Sequence, residues 1–422
     1  MSWQLETSME LNLYSWVILL FMLGFKILDT WGEALNVKRL DGTIPGDFQD
    51  TVDAEDYSKL VNYTHANTRL DWVSRWLGLM LVLLFWFLGG FGVVYEWVAG
   101  FGWHEVWAGC LFFAVLYLLQ MMVDLPFDWF HTFKVEEKFG FNRTDTKTFV
   151  LDRIKGLGLA LVLGVPLLAM VLWFFSSAGE LGWLWGWMAF SAVSFALAYV
   201  APTWLLPLFN KFEPMEQGSL RQSIEDLAQE QEFPLTDISV MDGSKRSTKS
   251  NAFFTGFGKR KRIALFDNLM ERHEDSEILG VLAHEIGHYR LGHIKKMMVI
   301  SVLQTGVMFF LAGWFMQSEG LHAAFGISEV HVYTGLVFFS LLFTPLSRLL
   351  SLGVLALSRK HEFEADAFAA KATGETEPMV DALKKLTKDN LGMLSPHPLY
   401  VWLNDSHPPM VERIEALKNI AR

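Results

Sequence analysis

Seven long apolar stretches constrain the fold of this chain more than any other feature of its sequence. They centre on Leu11–Phe25, Trp72–Trp97, Val106–Val123, Ile154–Phe175, Leu181–Leu208, Met297–Met316 and Val332–Leu357. About 20 apolar residues in a helix span the hydrocarbon core of a bilayer, and 52% of the 422 residues are hydrophobic. The sequence therefore predicts an all-α membrane protein with seven transmembrane helices, rather than two or three soluble domains.

The first apolar stretch begins close to Met1, where a cleaved signal peptide is the alternative interpretation. Its flank, MSWQLETSMELN, contains two Glu and neither Lys nor Arg. Because the flank of a signal peptide is positively charged, we expect a retained anchor helix.

Lys and Arg are distributed unevenly between the loops, and this predicts the orientation in the membrane. They are absent from the N-terminal flank and from 98–105, 176–182 and 317–331, and they crowd into 26–71, 127–155, 206–296 and the C-terminal tail. Basic loops face the cytoplasm, so we expect the N-terminus outside and the C-terminus inside. The C-terminal sequence LKNIAR has no dilysine or KDEL-like signal, which favours a bacterial inner membrane over the endoplasmic reticulum.

Charge and cysteine content exclude two classes of function. The formal net charge of −11 argues against a nucleic-acid partner. The single cysteine, Cys110, excludes an intrachain disulfide and a cysteine-rich metal site.

The segments between the stretches contain signals for soluble structure. We expect a helix over Met215–Glu230 and strands over 237–242 and 262–269, joined by a Gly- and Ser-punctuated segment that predicts a hairpin or small sheet. A further helix begins near residue 275 and runs into the sixth span, with Gly292 as its only weak point. The tail, 358–422, predicts two or three helices broken at 395–398 and 406–409.

The segment VLAHEIGH (281–288) contains an HExxH motif. In a helix, His284 and His288 share a face and can bind one metal ion, while Glu285 points about 100° away and is placed to act as a general base. Two His ligands, a Glu base and a third ligand from elsewhere are typical of zinc hydrolases. The alternative, a chance polar cluster on a solvated helix, is disfavoured by the apolar flank. On the same continuous helix His293 faces the opposite side, so we interpret it as interfacial or structural.

The third ligand is expected in SRKHEFEADAFAAK (358–371). Glu362 and Asp366 are four residues apart and share a helix face, whereas Glu364 points elsewhere. Glu362 would bind zinc and Asp366 would accept the free ring N–H of a ligand histidine. The alternatives are His361 as the ligand, or an ordinary charged amphipathic helix. Two His and one Glu would also accept cobalt or manganese.

The order HExxH, SRxxExxAD, SHPPxxxR resembles the integral-membrane zinc proteases of the CAAX prenyl protease 1 family. Similar stretches are VEEKFGFNRTDTKTFVLDRIKG (135–156), LPLFNKFEP (206–214) and KSNAFFTGFGKRKRIALFDNL (249–269). The heat-shock membrane zinc protease shares the zinc segments but has fewer spans and lacks EEKFGFN. The resemblance extends over most of the chain.

The resemblance implies roles for several residues. One zinc ion per chain would bind His284, His288 and Glu362, with Glu285 as the base. His407 would help to hold the oxyanion, although without the resemblance a histidine before two prolines predicts only the start of a helix. Four residues are implied around the substrate, with Arg413 also supporting the site: Asn251, Ala252, Phe253 and Arg413. From the sequence alone, SNAFFTG is equally compatible with a plain hairpin.

The resemblance also implies an architecture. Seven helices would wall a large water-filled chamber with the zinc site inside it, and a cytoplasmic gluzincin-like α+β domain would cap the chamber. The predicted division is 1–208 for five spans with cytoplasmic loops 29–71 and 127–153, 209–296 for the protease domain, 297–357 for two spans, and 358–422 for cytoplasmic helices with the third ligand.

The predicted function is that of a membrane-embedded zinc endopeptidase that cleaves CAAX-type, prenylated C-terminal tails. Its partners are then a peptide or protein substrate and the lipid bilayer. The alternatives are a quality-control protease without prenylated substrates, and a metal-binding transporter. A transporter would not explain Glu285 beside His284.

Overall fold

The computed structural model describes residues 11–40, 42–256 and 261–420. Within these residues, seven helices are long and apolar enough to cross a membrane, and we number them spans 1 to 7. They are Leu13–Arg39, Ala54–Phe87, Glu105–Phe139, Thr146–Ser177, Gly179–Leu208, His293–Phe315 and Val332–Thr373. The prediction of a seven-span protein is confirmed. The flank MSWQLETSME and the segment 257–260 lie outside the described residues.

The shorter elements are numbered separately, in chain order. The helices are α1 Gly90–Ala99, α2 Ser219–Glu230, α3 Asp267–Arg272, α4 Asp275–Arg290, α5 Glu319–Ala323, α6 Glu377–Asp389, α7 Pro398–Asn404 and α8 Met410–Ile420. The strands are β1 Phe212–Pro214, β2 Leu235–Met241, β3 Ala252–Thr255 and β4 Lys261–Phe266.

The second apolar stretch, Trp72–Trp97, is not one helix. Span 2 ends at Phe87, Gly89 adopts a left-handed backbone conformation with φ of 76°, and α1 follows as a separate helix. Apolar composition continues across the break, so the stretch could not reveal it.

Contacts between loops place the segments that lack Lys and Arg at one end of the molecule. Glu105 accepts a hydrogen bond of 2.7 Å from the Val332 amide, and the Asn12 side chain donates one of 2.6 Å to the Gly320 carbonyl. At the other end the charged segments pair with one another, for example Arg246 with Asp152 at 2.9 Å. The alternation expected from the sequence is thus present in the contacts.

Span 5 does not pack as a helix in a solid bundle would. In the most apolar 18-residue part of Gly179–Leu208, none of the residues is buried. A helix in a filled bundle buries one apolar stripe. Span 5 instead borders a cavity of about 910 Å³, lined by Phe190, Ser194 and Ala198 of span 5 and by Met298 and Val302 of span 6.

The soluble sheet has the order β1-β2-β4-β3. Strands β2 and β4 are parallel, with Ile238 opposite Ile263, so the two strands predicted from the sequence do not form a hairpin with each other. The hairpin is instead made by β3, inside the predicted connection, and β4. Among the residues that the structure describes, β3 pairs on one side only, so its other side is a free edge.

Two helix boundaries also differ from expectation. Helix α4 ends at Arg290 and does not run into span 6, because Gly292 adopts a left-handed conformation with φ of 70° and the next helix begins at His293. Conversely, span 7 continues without interruption into the tail, as one helix of 42 residues from Val332 to Thr373.

Candidate metal centre

Helix α4 and the tail end of span 7 approach each other closely at the two motifs. A Cβ atom at Gly287 would lie 3.3 Å from the Cα atom of Ala365 and 3.1 Å from Phe368. The close approach depends on the small size of Gly287, inside HEIGH, and of Ala365, inside EFEAD. It brings side chains separated by about 80 positions in the sequence onto facing surfaces.

His284, His288 and Glu362 converge at this contact, and one ligand atom from each lies within 4.8 Å of the others. The two Nε2 atoms are 3.1 Å apart. Glu362 lies 3.5 Å from His284 Nε2 through Oε2 and 3.3 Å from His288 Nε2 through Oε1.

These distances fit a metal ion. Atoms bound to zinc at about 2.0–2.1 Å in tetrahedral geometry stand about 3.3 Å apart, close to all three separations. Among the described residues, Glu362 Oε2 is buried and accepts no hydrogen bond. Its only ion-pair contacts among these residues are longer, with Arg413 at 3.3 Å and His284 Nε2 at 3.5 Å, so the oxygen is still able to bind a metal ion.

Asp366 and Arg413 lie directly behind the cluster. Asp366 Oδ1 is 2.8 Å from His284 Nδ1, and the Arg413 guanidinium donates to both Asp366 oxygens, at 2.8 and 2.6 Å. Burial disfavours the charged imidazole of His284, but the nearby Asp366 and Glu362 carboxylates outweigh burial and raise its pKa to about 9. Because the contacts of Arg413 are to carboxylates of the cluster, including Glu362 Oε2 at 3.3 Å, they favour a supporting role over a substrate contact.

Glu285 and His407 border the same cavity of about 710 Å³ as His284 and Glu362. Burial raises the pKa of the Glu285 carboxyl above its usual value. His407 Nε2 is 3.5 Å from Glu362 Oε1, and the His407 side chain is 58% exposed. Both side chains are therefore accessible to a molecule that enters the cavity.

Of the four residues implied around the substrate, three lie at the start of β3, and two of these three reach this cavity. Asn251 and Ala252 line it, whereas Phe253 does not. The Asn251 carbonyl accepts from the Phe266 amide of β4. In an antiparallel pair such bonds alternate, so the main chain of Ala252 faces the free edge. The Asn251 side chain accepts from the Ala252 amide at 2.8 Å, so a substrate that paired here would displace that bond.

The structure also places His293 next to the cluster. Its Nδ1 atom is 3.1 Å from His288 Nδ1, and its Nε2 atom is 2.9 Å from Glu364. The prediction that His293 faces away from the motif is wrong, because it assumed a helix that continues through Gly292. Gly292 was the sequence signal that could have indicated a helix break before His293. His361 has its ring stacked on His293 and is not part of the His284 cluster.

Comparisons with known proteins agree with this arrangement. Residues 33–211 match a family model described as CAAX prenyl protease N-terminal, five membrane helices, and residues 214–421 match Peptidase family M48. The CAAX prenyl protease 1 homolog of Mus musculus is 33% identical over 89% of each chain. CAAX prenyl protease 1 of Saccharomyces cerevisiae is 38% identical over 74% of this chain and 72% of its own. The crystal structure of S. mikatae Ste24p superposes with a TM-score of 0.92 at 32% identity, covering 97% of this chain and 100% of that one.

The seven spans, the soluble sheet and the His–Glu cluster beside an open cavity define a multi-pass integral-membrane metalloendopeptidase. The chain belongs to the CAAX prenyl protease 1 family, and its residues 214–421, which include spans 6 and 7, fall in peptidase family M48. The family, the enzyme class and the multi-pass integral-membrane character predicted from the sequence are thereby confirmed, and the transporter alternative is removed. The particular membrane and the orientation stay predictions.

Proposed function

We propose that this protein is a zinc endopeptidase that cleaves prenylated CAAX-type C-terminal tails at the membrane. The observation that carries the proposal is the convergence of His284, His288 and Glu362, each with a ligand atom within 4.8 Å of the others, on a cavity that Glu285 and the start of β3 also line. The preference for prenylated tails is supported by the names of the relatives from mouse and yeast.

His284, His288 and Glu362 would hold the zinc ion, which supplies Lewis acidity toward the peptide carbonyl. Glu285 would accept a proton from the attacking water and deliver it to the leaving amine, a task that suits a carboxyl whose pKa is raised by burial. His407 would donate a hydrogen bond to the developing oxyanion from the open side of the cavity.

The main chain of Ala252 would pair with an extended substrate along the edge of β3. Such pairing uses main-chain hydrogen bonds, so it fixes the direction of the peptide without depending on its side chains. Asn251 would add a side-chain contact next to the reacting carbonyl. This arrangement suits a protease that accepts tails of varied sequence.

For orientation, we propose that the segments rich in Lys and Arg, and with them the metal centre, face the cytoplasm. Residues 209–296 and 358–422 would form the catalytic part, and residues 1–208 and 297–357 the membrane part. The negative net charge supports the absence of a nucleic-acid partner. The assignment to a bacterial inner membrane stays a prediction.

The proposal is tested with the purified full-length protein, a prenylated CAAX reporter peptide and its unprenylated counterpart. Glu285→Gln should lower kcat about 10²- to 10⁴-fold and still bind one zinc per chain, measured by elemental analysis. Glu271→Gln, at an exposed position of α3, is the matched control and should keep full activity.

Removal of zinc by a chelator should abolish cleavage, and added zinc should restore it. Equal cleavage of both peptides would contradict the preference for prenylated substrates. Zinc binding without cleavage of either peptide would favour a quality-control role on other membrane proteins. A chain that binds no zinc and cleaves neither peptide would contradict the zinc site itself.

A further inference from the structure

The histidine and carboxylate next to the cluster form a continuous chain of contacts with one of its proposed ligands. His288 Nε2 faces Glu362, and its other ring nitrogen lies 3.1 Å from His293 Nδ1. His293 Nε2 lies 2.9 Å from Glu364 Oε2. His293 is 2% exposed, so water does not compete for its ring nitrogens.

Only one arrangement of protons satisfies both contacts when His288 binds a metal through Nε2. Its Nδ1 atom then carries the proton and donates to His293 Nδ1. His293 Nδ1 is therefore the acceptor, and the proton of this neutral ring lies on Nε2, where it donates to the Glu364 carboxylate. Every donor in the chain has an acceptor, and the carboxylate ends it.

We propose that His293 and Glu364 are positioning residues that fix the ring orientation and the tautomer of His288. Asp366 orients His284 by a direct contact of 2.8 Å. Glu364 would orient His288 in the same way, but through the imidazole of His293. The proposal rests on the metal site of the proposed function. Carboxylates behind ligand histidines typically change metal affinity 10- to 100-fold when they are removed.

The backbone and a neighbouring ring hold His293 in this position. The turn at Gly292 starts a new helix at His293, and without this turn the ring would not reach His288. The His361 ring stacks on His293 with centroids 3.9 Å apart and an interplanar angle of 9°. The stack fixes the plane of His293 so that its two nitrogens point along the chain of contacts.

A second metal site is the rival explanation, because His293, His361 and Glu364 each offer an atom within 4.8 Å of the others. An ion bound there would take one nitrogen of His293 away from either His288 or Glu364. Both nitrogens already have partners at hydrogen-bonding distance, so the geometry favours a relay without an ion.

The test measures how fast zinc leaves the full-length protein when excess chelator is added. His293→Phe keeps the stacked ring and removes both nitrogens, and Glu364→Ala removes the terminal acceptor. We expect zinc loss to be about 10- to 100-fold faster in both, with a smaller effect in Glu364→Gln, which keeps an acceptor oxygen. His361→Phe keeps the stack and should lose zinc at the wild-type rate. The absorption spectrum of the cobalt-loaded protein should change in His293→Phe and not in His361→Phe.

Unchanged zinc loss in both His293→Phe and Glu364→Ala would overturn the proposal. Two zinc ions per chain, falling to one in His361→Phe, would overturn it in favour of a second metal site. If His293→Phe does not fold, the two Glu364 variants still decide the question, since that side chain is 38% exposed. These readouts do not involve peptide cleavage, so a wrong substrate assignment would leave the comparison intact.

Discussion

At the scale of single residues, the metal centre is supported by a buried ion pair. The side chains of Arg413 and Asp366 are 4% and 2% exposed, and removal of one partner from such a pair typically costs about 3–5 kcal/mol. We expect Arg413→Gln to lower the free energy of unfolding by about that amount, measured by thermal unfolding in detergent.

Lys418 provides a matched control on the same helix, α8. It pairs with Asp47 at 2.7 Å, but the two side chains are 40% and 30% exposed, so Lys418→Gln should cost less than about 1 kcal/mol. The double variant Arg413→Gln/Asp366→Asn should lose less stability than the sum of its single changes. Equal losses in Arg413→Gln and Lys418→Gln would contradict this interpretation.

Asp405, which borders the same cavity, predicts a dependence of stability on pH. Burial raises its pKa to about 6 against an opposing effect of Arg359, whereas the unfolded chain has the ordinary value of about 4. Between these values the folded state keeps the proton that the unfolded state has lost. Stability therefore falls as pH rises from about 4 to 6.

We expect Asp405→Asn to remove this dependence. The Tm of the wild type minus that of the variant should become more negative from pH 4 to pH 6 and then level off. A difference that stays constant across this range would show that Asp405 titrates normally in the folded protein.

At the scale of secondary-structure elements, the turn at Gly292 determines where His293 lies. A side chain in a left-handed conformation costs roughly 1–2 kcal/mol. Gly292 has φ of 70°, and a Cβ atom at this position would meet no other atom within 4 Å, so the cost of a substitution there comes from the backbone alone. We expect Gly292→Ala to lower Tm and to accelerate zinc loss, because relief of the backbone strain would move His293.

Gly102, with φ of 65° and equally open surroundings, lies at the opposite end of the molecule. Gly102→Ala should therefore lower Tm by a similar amount and leave zinc loss unchanged. If both variants lose zinc at the same rate, the turn at Gly292 has no specific role at the metal centre.

The elements that could be predicted from the sequence are those encoded by local spacing. The apolar stretches predicted the spans, and the four-residue spacing of His284 and His288 placed both on one helix face. Breaks at Gly89 and Gly292 could not be predicted with the same security, since a glycine inside a helix costs only about 1 kcal/mol and tertiary contacts decide whether the helix continues.

Contacts between segments that are distant in the sequence also could not be predicted from local sequence patterns. The parallel arrangement of β2 and β4 depends on which strand each one meets, and nothing in either segment specifies the partner. The contact of His293 with His288 and Glu364 likewise exists only because the helix turns between them. His407 was assigned to the site of Glu362 by family resemblance alone, and the 3.5 Å separation of the two side chains belongs to the folded chain.

At the scale of the whole molecule, the two ends of the spans differ in charge, and this predicts accessibility. In a Cys110→Ala background, a cysteine at the exposed Ser328 should react with a membrane-impermeant maleimide in intact bacterial expression cells. A cysteine at Glu271, exposed at the opposite end, should react only after permeabilisation. The reverse pattern would invert the proposed orientation.

The helix Val332–Thr373 runs from a membrane span to the metal centre without interruption, so its length limits how far Glu362 can lie from the membrane. Glu362 lies 30 residues after Val332, or about 45 Å along the axis, and the hydrocarbon core takes up only about 30 Å of that length. For a helix that begins at the hydrocarbon edge and stands upright, Glu362 would lie up to about 15 Å beyond the far edge, and any tilt shortens this distance. A bond one or two residues from a lipid anchor reaches only about 3–7 Å, so at such a height a tail of that kind would be cut only after its lipid had left the bilayer.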